Sequence, residues 1–413
     1  MTLGRRQWMA AGAAGLAGIA GLAAWRAWPE QGLWNPCLGP LPAELTAHPL
    51  VREAWEGIDP AEAWDLHAHL LGVGDGPAPA SAGVGRGGSL GGRLLVAAQR
   101  RFFLDAACSQ EGHVDQGYLA RLVALAEAFP PGRKLLLLAL DHAHSAEGTR
   151  DEAHTHVWTS DAACAAVARA WPERFEWAAS VHPYRPDAAA AIEAARAAGA
   201  RALKWIPSAQ GMDPASPRCD AAYRTLARLD LPLLVHCGEE RAAPGDDELG
   251  NPLRLRRALE HGVRVVVAHC ASMGQSRDLD RGPDGPPVES FALFRRLMDG
   301  QAWAGRLFGD LSAVPQLARA RWLPAILERA GEGGEWAGRL LDGSDYPIPA
   351  IMPLYSPRAL AAQGLLDEAA VAPLTAIRRH HPLLFDLVQK RHLRWKGKRL
   401  ARAVFENRRF LGG

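Results

Sequence analysis

The sequence predicts an α/β protein folded as a (β/α)8 TIM barrel. Eight short β-prone runs recur along the chain, and helical Ala/Leu/Arg-rich segments separate them. Several of these runs are apolar on both faces, as in parallel strands that helices cover on both sides. An open doubly wound sheet is the alternative, but no GxGxxG pattern follows the first strand and eight strand–helix units suit closure. The predicted strands are 63–67, 134–140, 174–181, 200–206, 231–237, 263–270, 305–312 and 338–344.

Helical periodicity is clearest between the predicted strands and at the end of the chain. Four segments carry it between strands: 162–173, 186–199, 219–230 and 251–262. The final basic run, 389–413, is also periodic and predicts a closing helix with a solvated face, with contact to a membrane surface as the alternative. Residues 63–413 therefore form the predicted barrel with a C-terminal helical extension.

The first 62 residues predict two further parts of the chain. Arg5 and Arg6 precede an uncharged Ala/Gly-rich stretch from Trp8 to Trp25, which is typical of a twin-arginine export signal or an N-terminal membrane anchor. The alternative is an apolar terminus without a targeting role. Residues 1–29 are assigned to this segment and 30–62, rich in Pro and Trp, to a spacer and a short helix. We expect the protein to be exported, either periplasmic or anchored to the cell membrane.

Composition excludes few classes of function. A hydrophobic fraction of 48% with 22% charged residues is ordinary for a globular protein, and a net charge of +2 indicates no nucleic-acid partner. The six cysteines are too dispersed for a CxxC metal ribbon or a dense disulfide scaffold, so they leave the redox compartment open.

Polar side chains fall at the carboxyl ends of the predicted strands, where a barrel carries its active site. The first strand holds Asp65, His67 and His69 at alternate positions, so all three are expected on one face. Residues from distant strands would meet at the same rim, and their imidazole, amine and carboxylate groups suit a metal site. The other strand-end residues are Lys204, His236, His269 and Asp345.

These motifs carry a resemblance to a known family. In chain order, DLHAHL, ASVHPYRPDA, ALKWIPSAQG, LLVHCGEE, VVVAHC and LLDGSDYP resemble the amidohydrolase superfamily. Within it, they resemble the amidohydrolase-related (amidohydrolase 2) branch of metal-dependent hydrolases and decarboxylases. The resemblance covers roughly residues 60–410.

The resemblance implies a metal centre and catalytic roles for named residues. It makes His67, His69, His236 and Asp345 metal ligands, and it assigns Asp345 and His269 to catalysis. Lys204 matches the position that some members carboxylate to bridge two metals, although a lysine paired with a carboxylate is the alternative. The implied cofactor is a divalent metal, zinc or manganese, with one ion expected and two as the alternative.

The implied reaction is hydrolysis of an amide, ester or lactone carbonyl of a small molecule by metal-activated water. Asp345 would move the proton, and His269 would polarise the carbonyl. Decarboxylation or hydration of a small carboxylic acid uses the same ligands and stays open, as does a binding protein without catalysis. A membrane contact through the N-terminal segment and homo-oligomerisation also stay open.

Several features have no assigned role in this scheme. The loop histidines His142, His144, His154 and His156 are expected to be solvated, with a substrate loop or a second metal locus as alternatives. The Gly-rich insert 72–92 predicts a lid or substrate loop, or a plain linker. Cys237 and Cys270 are expected to be buried small hydrophobes, and Glu239, Glu240 and Asp310 to lie near the mouth.

Overall fold

Eight parallel strands form the centre of the molecule. The computed structural model describes residues 31–76, 80–81, 101–241 and 243–412, so the predicted segment 1–29 and most of the Gly-rich insert lie outside the described residues. Each strand falls within, or within two residues of, a run that the sequence predicts. The strands are β1 (Asp65–His69), β2 (Leu135–Leu138), β3 (Phe175–Ala178), β4 (Leu203–Trp205), β5 (Leu233–His236), β6 (Val265–Ala268), β7 (Leu307–Asp310) and β8 (Leu340–Leu341).

The strands close into a barrel in chain order. Strands β1 to β3 pair in one parallel group and β4 to β8 in another. Single bridges join the two groups, between Ala179 and Leu203 on one side and between Ala68 and Tyr346 on the other. At the second of these junctions, the backbone N–H of His69 also donates to the Tyr346 carbonyl at 2.9 Å. The predicted closed parallel barrel is therefore confirmed, and the open-sheet alternative is wrong.

Helices and short 3-10 turns connect and cover the strands. The predicted helix 251–262 splits into the 3-10 turn Pro252–Leu255 and the α-helix Arg256–Glu260, and the Asn251 side chain caps the turn by accepting the backbone N–H of Leu253. Short antiparallel pairs join 80–81 to Trp158–Thr159 and Gln275–Arg277 to Pro287–Glu289. The α-helices are Ala43–Thr46, Pro49–Trp55, Val114–Glu127, Asp161–Ala170, Ala188–Ala197, Pro207–Gln210, Asp220–Arg228, Arg256–Glu260, Ser290–Asp299, Leu323–Ala330, Pro357–Ala362, Glu368–His380 and Pro382–His392, and 101–106 is helical as well. The 3-10 turns are Pro217–Cys219, Asp247–Gly250, Pro252–Leu255, His269–Ala271, Leu279–Arg281, Gln301–Trp303, Ala320–Trp322, Ile348–Ala350, Met352–Leu354, Arg402–Val404 and Arg408–Leu411.

The core has two layers, one inside the barrel and one between the strands and the helices. Alternate strand residues divide between them: Leu136, Leu234 and Phe308 belong to the inner cluster, while their chain neighbours join the outer one. This division explains why the strands are apolar on both faces. Cys237 and Cys270 are buried in the outer layer, as expected.

The C-terminal segment differs from its prediction. The last α-helix ends at His392 and is almost wholly buried, and the chain then turns through Gly397 at φ 78° instead of continuing as a solvated helix. Beyond the turn, Leu411 packs into the inner cluster, and the Asn407 side-chain amide donates to the Trp64 and Asp342 carbonyls at 2.8 Å. The basic tail thus covers the amino-terminal end of the barrel. Because the tail makes these contacts, it does not form the predicted closing helix.

A disulfide fastens the segment that precedes the barrel. Cys37 and Cys108 are bonded across a sequence separation of 71, and the other four cysteines are free and buried. Leu38 donates its backbone N–H to the Arg379 carbonyl at 3.3 Å, so this segment also reaches the C-terminal helices. In the part of the chain that the structure describes, no helix has the length and apolar character to cross a bilayer.

Candidate metal and catalytic site

The first strand brings two of its three polar residues to the rim. The pairing of β1 with β2 shifts register between Asp65 and Ala68. Leu66 packs in the inner cluster, yet His67 and His69 both reach the carboxylate of Asp345. The expectation that Asp65 shares their face is wrong, because the irregularity breaks the simple alternation of a regular strand.

Asp65 instead joins the backbones of β1 and the loop after β8. Its Oδ1 accepts the backbone N–H of His67 at 3.0 Å and that of Ser344 at 2.8 Å. Burial, followed by the charge of Asp342, raises the pKa of Asp65. The side chain therefore holds in register two segments that each carry a proposed ligand, His67 and Asp345.

Three candidate ligand atoms converge where β1 meets the loop after β8. Asp345 Oδ1 lies 3.0 Å from His69 Nε2 and 3.5 Å from His67 Nε2, and the ligand atoms of the group lie within 4.8 Å of one another. Two imidazoles and a carboxylate are a donor set that divalent zinc or manganese accepts. The described residues therefore provide a His/His/Asp group able to hold a divalent metal ion.

A carboxylate on β7 orients two of the histidines. Asp310 Oδ2 lies 2.9 Å from His67 Nδ1, and its Oδ1 accepts the backbone N–H of His269 at 2.9 Å. The Ser312 hydroxyl bonds to Asp310 and lies 2.8 Å from His269 Nδ1. This arrangement leaves Nε2 of each ring directed at Asp345, since the Nδ1 side is occupied.

His269 and His236 lie beside the group at longer range. His269 Nε2 is 3.8 Å from Asp345 Oδ2, and its ring centroid is 5.1 Å from that of His236. His236 Nδ1 faces Glu240 Oε2 at 3.3 Å. The structure thus brings all four predicted histidines to one end of the barrel, with His236 next to His269 and outside the close His67/His69/Asp345 group.

Two buried cations complete the site. Lys204 is 1% exposed and Arg319 is 6% exposed. Burial lowers the pKa of both side chains, and the charges of Asp345, Asp310 and Glu240 oppose that effect. Arg319 donates to the Ser272 hydroxyl at 3.1 Å, and its Nε has no hydrogen-bond partner among the described residues. The sequence did not single out Arg319, because it lies in the loop after β7 and no strand-end pattern marks it.

The protonation states suit metal binding. Burial, with a smaller effect from Lys204, lowers the pKa of His67 to about 4, so its imidazole is neutral and keeps a lone pair. Burial opposes ionisation of Asp345, but the imidazoles of His269, His67 and His69 outweigh it and hold the pKa below its usual range. A neutral His67 imidazole therefore lies beside an ionised Asp345 carboxylate, and both are in the state that metal ligands require.

The loop histidines lie in a different part of the rim. His154 is exposed and pairs with Asp151 at 2.7 Å, whereas His142 is buried and stacks on Trp158 at 4.8 Å between ring centroids. His144 packs against His182 at 4.6 Å. None of the four belongs to the candidate metal groups that the described residues form.

A closed parallel barrel with imidazoles and a carboxylate at the carboxyl ends of its strands defines a class of metal-dependent barrel enzymes. The model of the amidohydrolase family matches residues 64–372, which is more than half of the chain. The chain belongs to this family, as the sequence motifs predicted. A search of curated protein sequences found no match.

The solved structures to which this chain is similar share little sequence with it. An uncharacterized Tim-barrel protein from Bordetella bronchiseptica is 17% identical, with 76% of this chain and 99% of that chain covered at a TM-score of 0.45. A probable 2-pyrone-4,6-dicarboxylic acid hydrolase from Acinetobacter baumannii is 13% identical, with 69% and 84% covered at 0.41. The 5-carboxyvanillate decarboxylase from Novosphingobium aromaticivorans, complexed with manganese, is 14% identical, with 77% and 92% covered at 0.38.

Proposed function

We propose that this protein is a metal-dependent hydrolase that cleaves an amide, ester or lactone bond of a small molecule. The observation that carries the proposal is the convergence of His67 Nε2, His69 Nε2 and Asp345 Oδ1 at the barrel rim. Asp310 fixes the orientation of one ring, and burial keeps that ring neutral. A divalent ion, when bound there, lowers the pKa of a coordinated water so that it attacks carbonyls at neutral pH.

The residues around this group have distinct proposed roles. Asp345 accepts a proton from the attacking water and passes it to the leaving group, as a general base and then a general acid. Arg319 is buried and lies near enough to Asp345 for the two charges to interact. Its guanidinium stabilises negative charge that develops on the carbonyl oxygen. Water would reach the reacting carbon only through the rim, because the barrel interior is filled by apolar side chains.

The tautomer of His269 limits its role. Its Nδ1 lies 2.8 Å from the Ser312 carbonyl, which only accepts, so a neutral ring carries its proton on Nδ1. Nε2 then faces Asp345 as a lone pair. His269 can polarise a substrate carbonyl as a donor only when both nitrogens are protonated; in the neutral form it accepts a proton or coordinates the ion.

Decarboxylation or hydration of a small carboxylic acid is the second candidate. The observation that favours it is the pair of buried cations, Arg319 and Lys204, beside the His/His/Asp group. Two cations in such a place suit a substrate carboxylate.

We further propose one zinc or manganese ion per chain, with His236 as its fourth protein ligand, and two ions if Lys204 is carboxylated.

The test combines metal analysis with two substrate panels. We expect about one metal per chain, hydrolysis of at least one ester, lactone or amide, and loss of both metal and activity in His67→Ala and Asp345→Ala. His154→Ala is the matched control, because this exposed histidine lies away from the group. Carbon dioxide release from carboxylic acids without hydrolysis would establish the second candidate instead, and a metal-free protein from metal-replete expression would overturn both.

A further inference from the structure

A buried arginine packs against the loop after β8, residues 346–355. Arg378 belongs to the last turn of the helix Glu368–His380 and is 0% exposed. Its guanidinium donates to four backbone carbonyls of this loop, at distances from 2.7 to 3.2 Å. The four carbonyls belong to Pro349, Ile351, Met352 and Tyr355. A buried charge needs hydrogen bonds to replace its lost hydration, so the charge and the loop conformation depend on each other.

An arginine is well suited to hold a loop of this shape. The loop contains the 3-10 turns Ile348–Ala350 and Met352–Leu354, and short turns leave backbone carbonyls without partners in their own segment. A guanidinium is planar, always charged, and presents its N–H donors in fixed directions. The Arg378 side chain therefore fixes the directions of these carbonyls, and with them the path of the loop.

The loop after β8 in turn supports the loop after β7, residues 311–322, which carries Arg319. The backbone N–H of Leu317 donates to the Leu354 carbonyl at 3.0 Å. Leu354 lies between two residues whose carbonyls bind the Arg378 guanidinium. The contacts of Arg378 therefore reach, through the loop after β8, a residue only two positions before Arg319.

Tyr355 brings these contacts close to the site. The Arg378 guanidinium lies over its ring, at 5.1 Å from the centroid. Burial, followed by the charges of Asp386 and Asp345, raises the pKa of Tyr355, and the phenol also acts on Arg319. The residue that Arg378 holds by its carbonyl and its ring therefore lies near both Arg319 and Asp345.

Different contacts hold Asp345. Its backbone N–H donates to the His67 carbonyl at 2.6 Å, and Asp65 accepts the N–H of the residue before it at 2.8 Å. The metal group therefore depends first on the seam with β1. A change in residues 349–355 should displace Arg319 more than it displaces the metal group.

We propose that Arg378 is a positioning residue for Arg319. Arg378 holds the loop after β8, and this loop holds the loop after β7 so that the Arg319 guanidinium faces the reacting carbonyl. The last step rests on the proposed function, because it takes Arg319 as the group that stabilises the carbonyl oxygen. The link between the two loops does not depend on that function.

Hydrogen exchange followed by mass spectrometry tests the link without a substrate. In Arg378→Lys, the amides of residues 313–320 and 348–355 should exchange at least about tenfold faster, because an ammonium with three donors cannot hold four carbonyls. The amides of β1 and β5 should keep their rates, which shows that the variant is folded. Unchanged exchange in residues 313–320 would overturn the proposal.

Arg339→Lys is the matched control for this measurement. Arg339 is also buried and donates to two backbone carbonyls, those of Met298 at 2.7 Å and Glu335 at 3.1 Å. It directly precedes β8 and so lies at the opposite end of the barrel. Its replacement should leave the exchange of residues 313–320 unchanged, and an equal acceleration in both variants would show a general loss of stability and overturn the proposal.

A second variant breaks the link from the other side and serves if Arg378→Lys does not fold. Leu317→Pro removes the N–H that donates to Leu354, at a side chain that is 48% exposed. Residue 317 follows the first residue of a turn in which Arg319 donates to the Gln316 carbonyl at 2.9 Å, a position that proline favours. Leu317→Ala keeps the N–H and is the control. Exchange of residues 318–320 should rise about tenfold only in the proline variant, and equal rates in both would overturn the proposal.

Kinetics with an identified substrate separate positioning from a structural role. Arg319→Gln should lower kcat about 100-fold and Arg378→Lys about tenfold, with the metal content unchanged in Arg378→Lys. If Arg378 acts through Arg319, the double variant should be at most about twofold slower than Arg319→Gln alone. A fully additive loss of about 1,000-fold, or a loss of metal that accounts for the loss of activity, would overturn the proposal.

The two measurements fail separately. Faster exchange in Arg378→Lys, in a protein without hydrolase activity, would uphold the link between the loops and remove the hydrolase. Hydrolysis that Arg319→Gln slows and Arg378→Lys leaves unchanged would uphold the hydrolase and remove the positioning role of Arg378.

Discussion

Asp310 shows how one carboxylate can set the chemistry of two imidazoles. Its oxygens accept from His67 Nδ1, from the backbone N–H of His269 and from that of Ser312, the last at 3.0 Å. Burial opposes ionisation of Asp310, but His67 and His269 keep its pKa below the usual range. Asp310 thus holds the His67 ring with Nε2 towards Asp345.

The variant Asp310→Asn should weaken metal binding about 10–100-fold, the usual cost of losing an outer partner of a metal-binding histidine. The amide would keep the backbone hydrogen bonds through its oxygen and turn its NH2 group towards His67 Nδ1. That change moves the ring proton to Nε2, where a ligand needs its lone pair. Competition with a chromophoric chelator measures the affinity, and nitrogen NMR of the imidazoles reports the tautomer.

The exposed carboxylate variant Asp187→Asn provides the control for this measurement, because Asp187 pairs only with an arginine at the surface. Equal metal affinity in Asp310→Asn and Asp187→Asn would refute the positioning role of Asp310.

At the residue scale, strand-end position was enough to predict that His67, His69, His269 and Asp345 would meet, because parallel strands in a ring share one rim. It could not predict Arg319 or the link from Asp310 to His67. Those contacts depend on the conformation of the loop after β7 and on barrel closure, which places β7 and β1 on either side of β8. Neither is encoded by a local pattern of apolar and polar residues.

At the element scale, Asp65 supports the seam between β1 and residues 340–346. Backbone hydrogen bonds from Leu66 to Asp342, from Asp345 to His67 and from His69 to Tyr346 also hold this seam. Two backbone N–H groups, from His67 and Ser344, end on its Oδ1. Period-two reasoning placed Asp65 beside the histidines because it assumed a regular strand. The register shift lies in the pairing of β1 with β2, between Asp65 and Ala68, and the carboxylate of Asp65 binds Ser344, 279 positions away in sequence, so local sequence reveals neither feature.

This seam predicts a contrast between two substitutions of Asp65. Asp65→Leu should lower the free energy of unfolding by about 2–6 kcal/mol, since two buried N–H groups lose their acceptor at about 1–3 kcal/mol each. Asp65→Asn keeps an oxygen acceptor and replaces a carboxyl that already faces Asp342, so it should cost less than about 1 kcal/mol. Urea denaturation of both variants measures the difference; equal losses would show that the hydrogen bonds to Oδ1 do not hold the seam.

Local sequence predicts the positions of the strands but not the conformation of the C-terminal segment. Runs such as Leu135–Leu138 and Val265–Ala268 are apolar on both faces, and only a strand covered on both sides buries them, so their placement followed directly. The segment after His392 has helical periodicity as well, but its apolar residues, Phe410 and Leu411, bind the inner cluster of the barrel. Tertiary packing at the barrel end therefore overrides the local helical preference.

At the scale of the whole molecule, the Cys37–Cys108 disulfide supports export, which we propose from the twin-arginine pattern. Disulfides persist in oxidising compartments such as the periplasm and are rare in the cytosol. Protein recovered from the envelope of its host should carry the bond, and intact mass after alkylation in denaturant without reductant should show four modified thiols, because the four free cysteines are buried in the folded protein. Six modified thiols would contradict export.

Replacing both cysteines by serine should destabilise the protein by about 2–5 kcal/mol in thermal denaturation.

Stability of the whole molecule should also fall as the pH drops below 6.5, because several histidines are buried in neutral form. Burial, followed by the charges of Arg121 and Arg133, lowers the pKa of His381 to about 3, and burial followed by His144 lowers that of His182 to about 3. The unfolded chain therefore binds more protons than the native protein between pH 6.5 and 3. The free energy of unfolding then decreases with falling pH through this window.

Each such histidine should make the chelator-treated protein about 2 kcal/mol less stable at pH 5 than at pH 7.5. His381→Asn isolates one of them, because the His381 Nδ1 accepts the Leu384 N–H at the start of the last helix, and asparagine caps helices in the same way. This variant should lose about 2 kcal/mol of the pH dependence in urea denaturation, whereas His154→Asn, at an exposed position, should keep it all. A His381→Asn variant with the full pH dependence would show that the native state does not hold His381 neutral, and the acid sensitivity would then have to come from other groups.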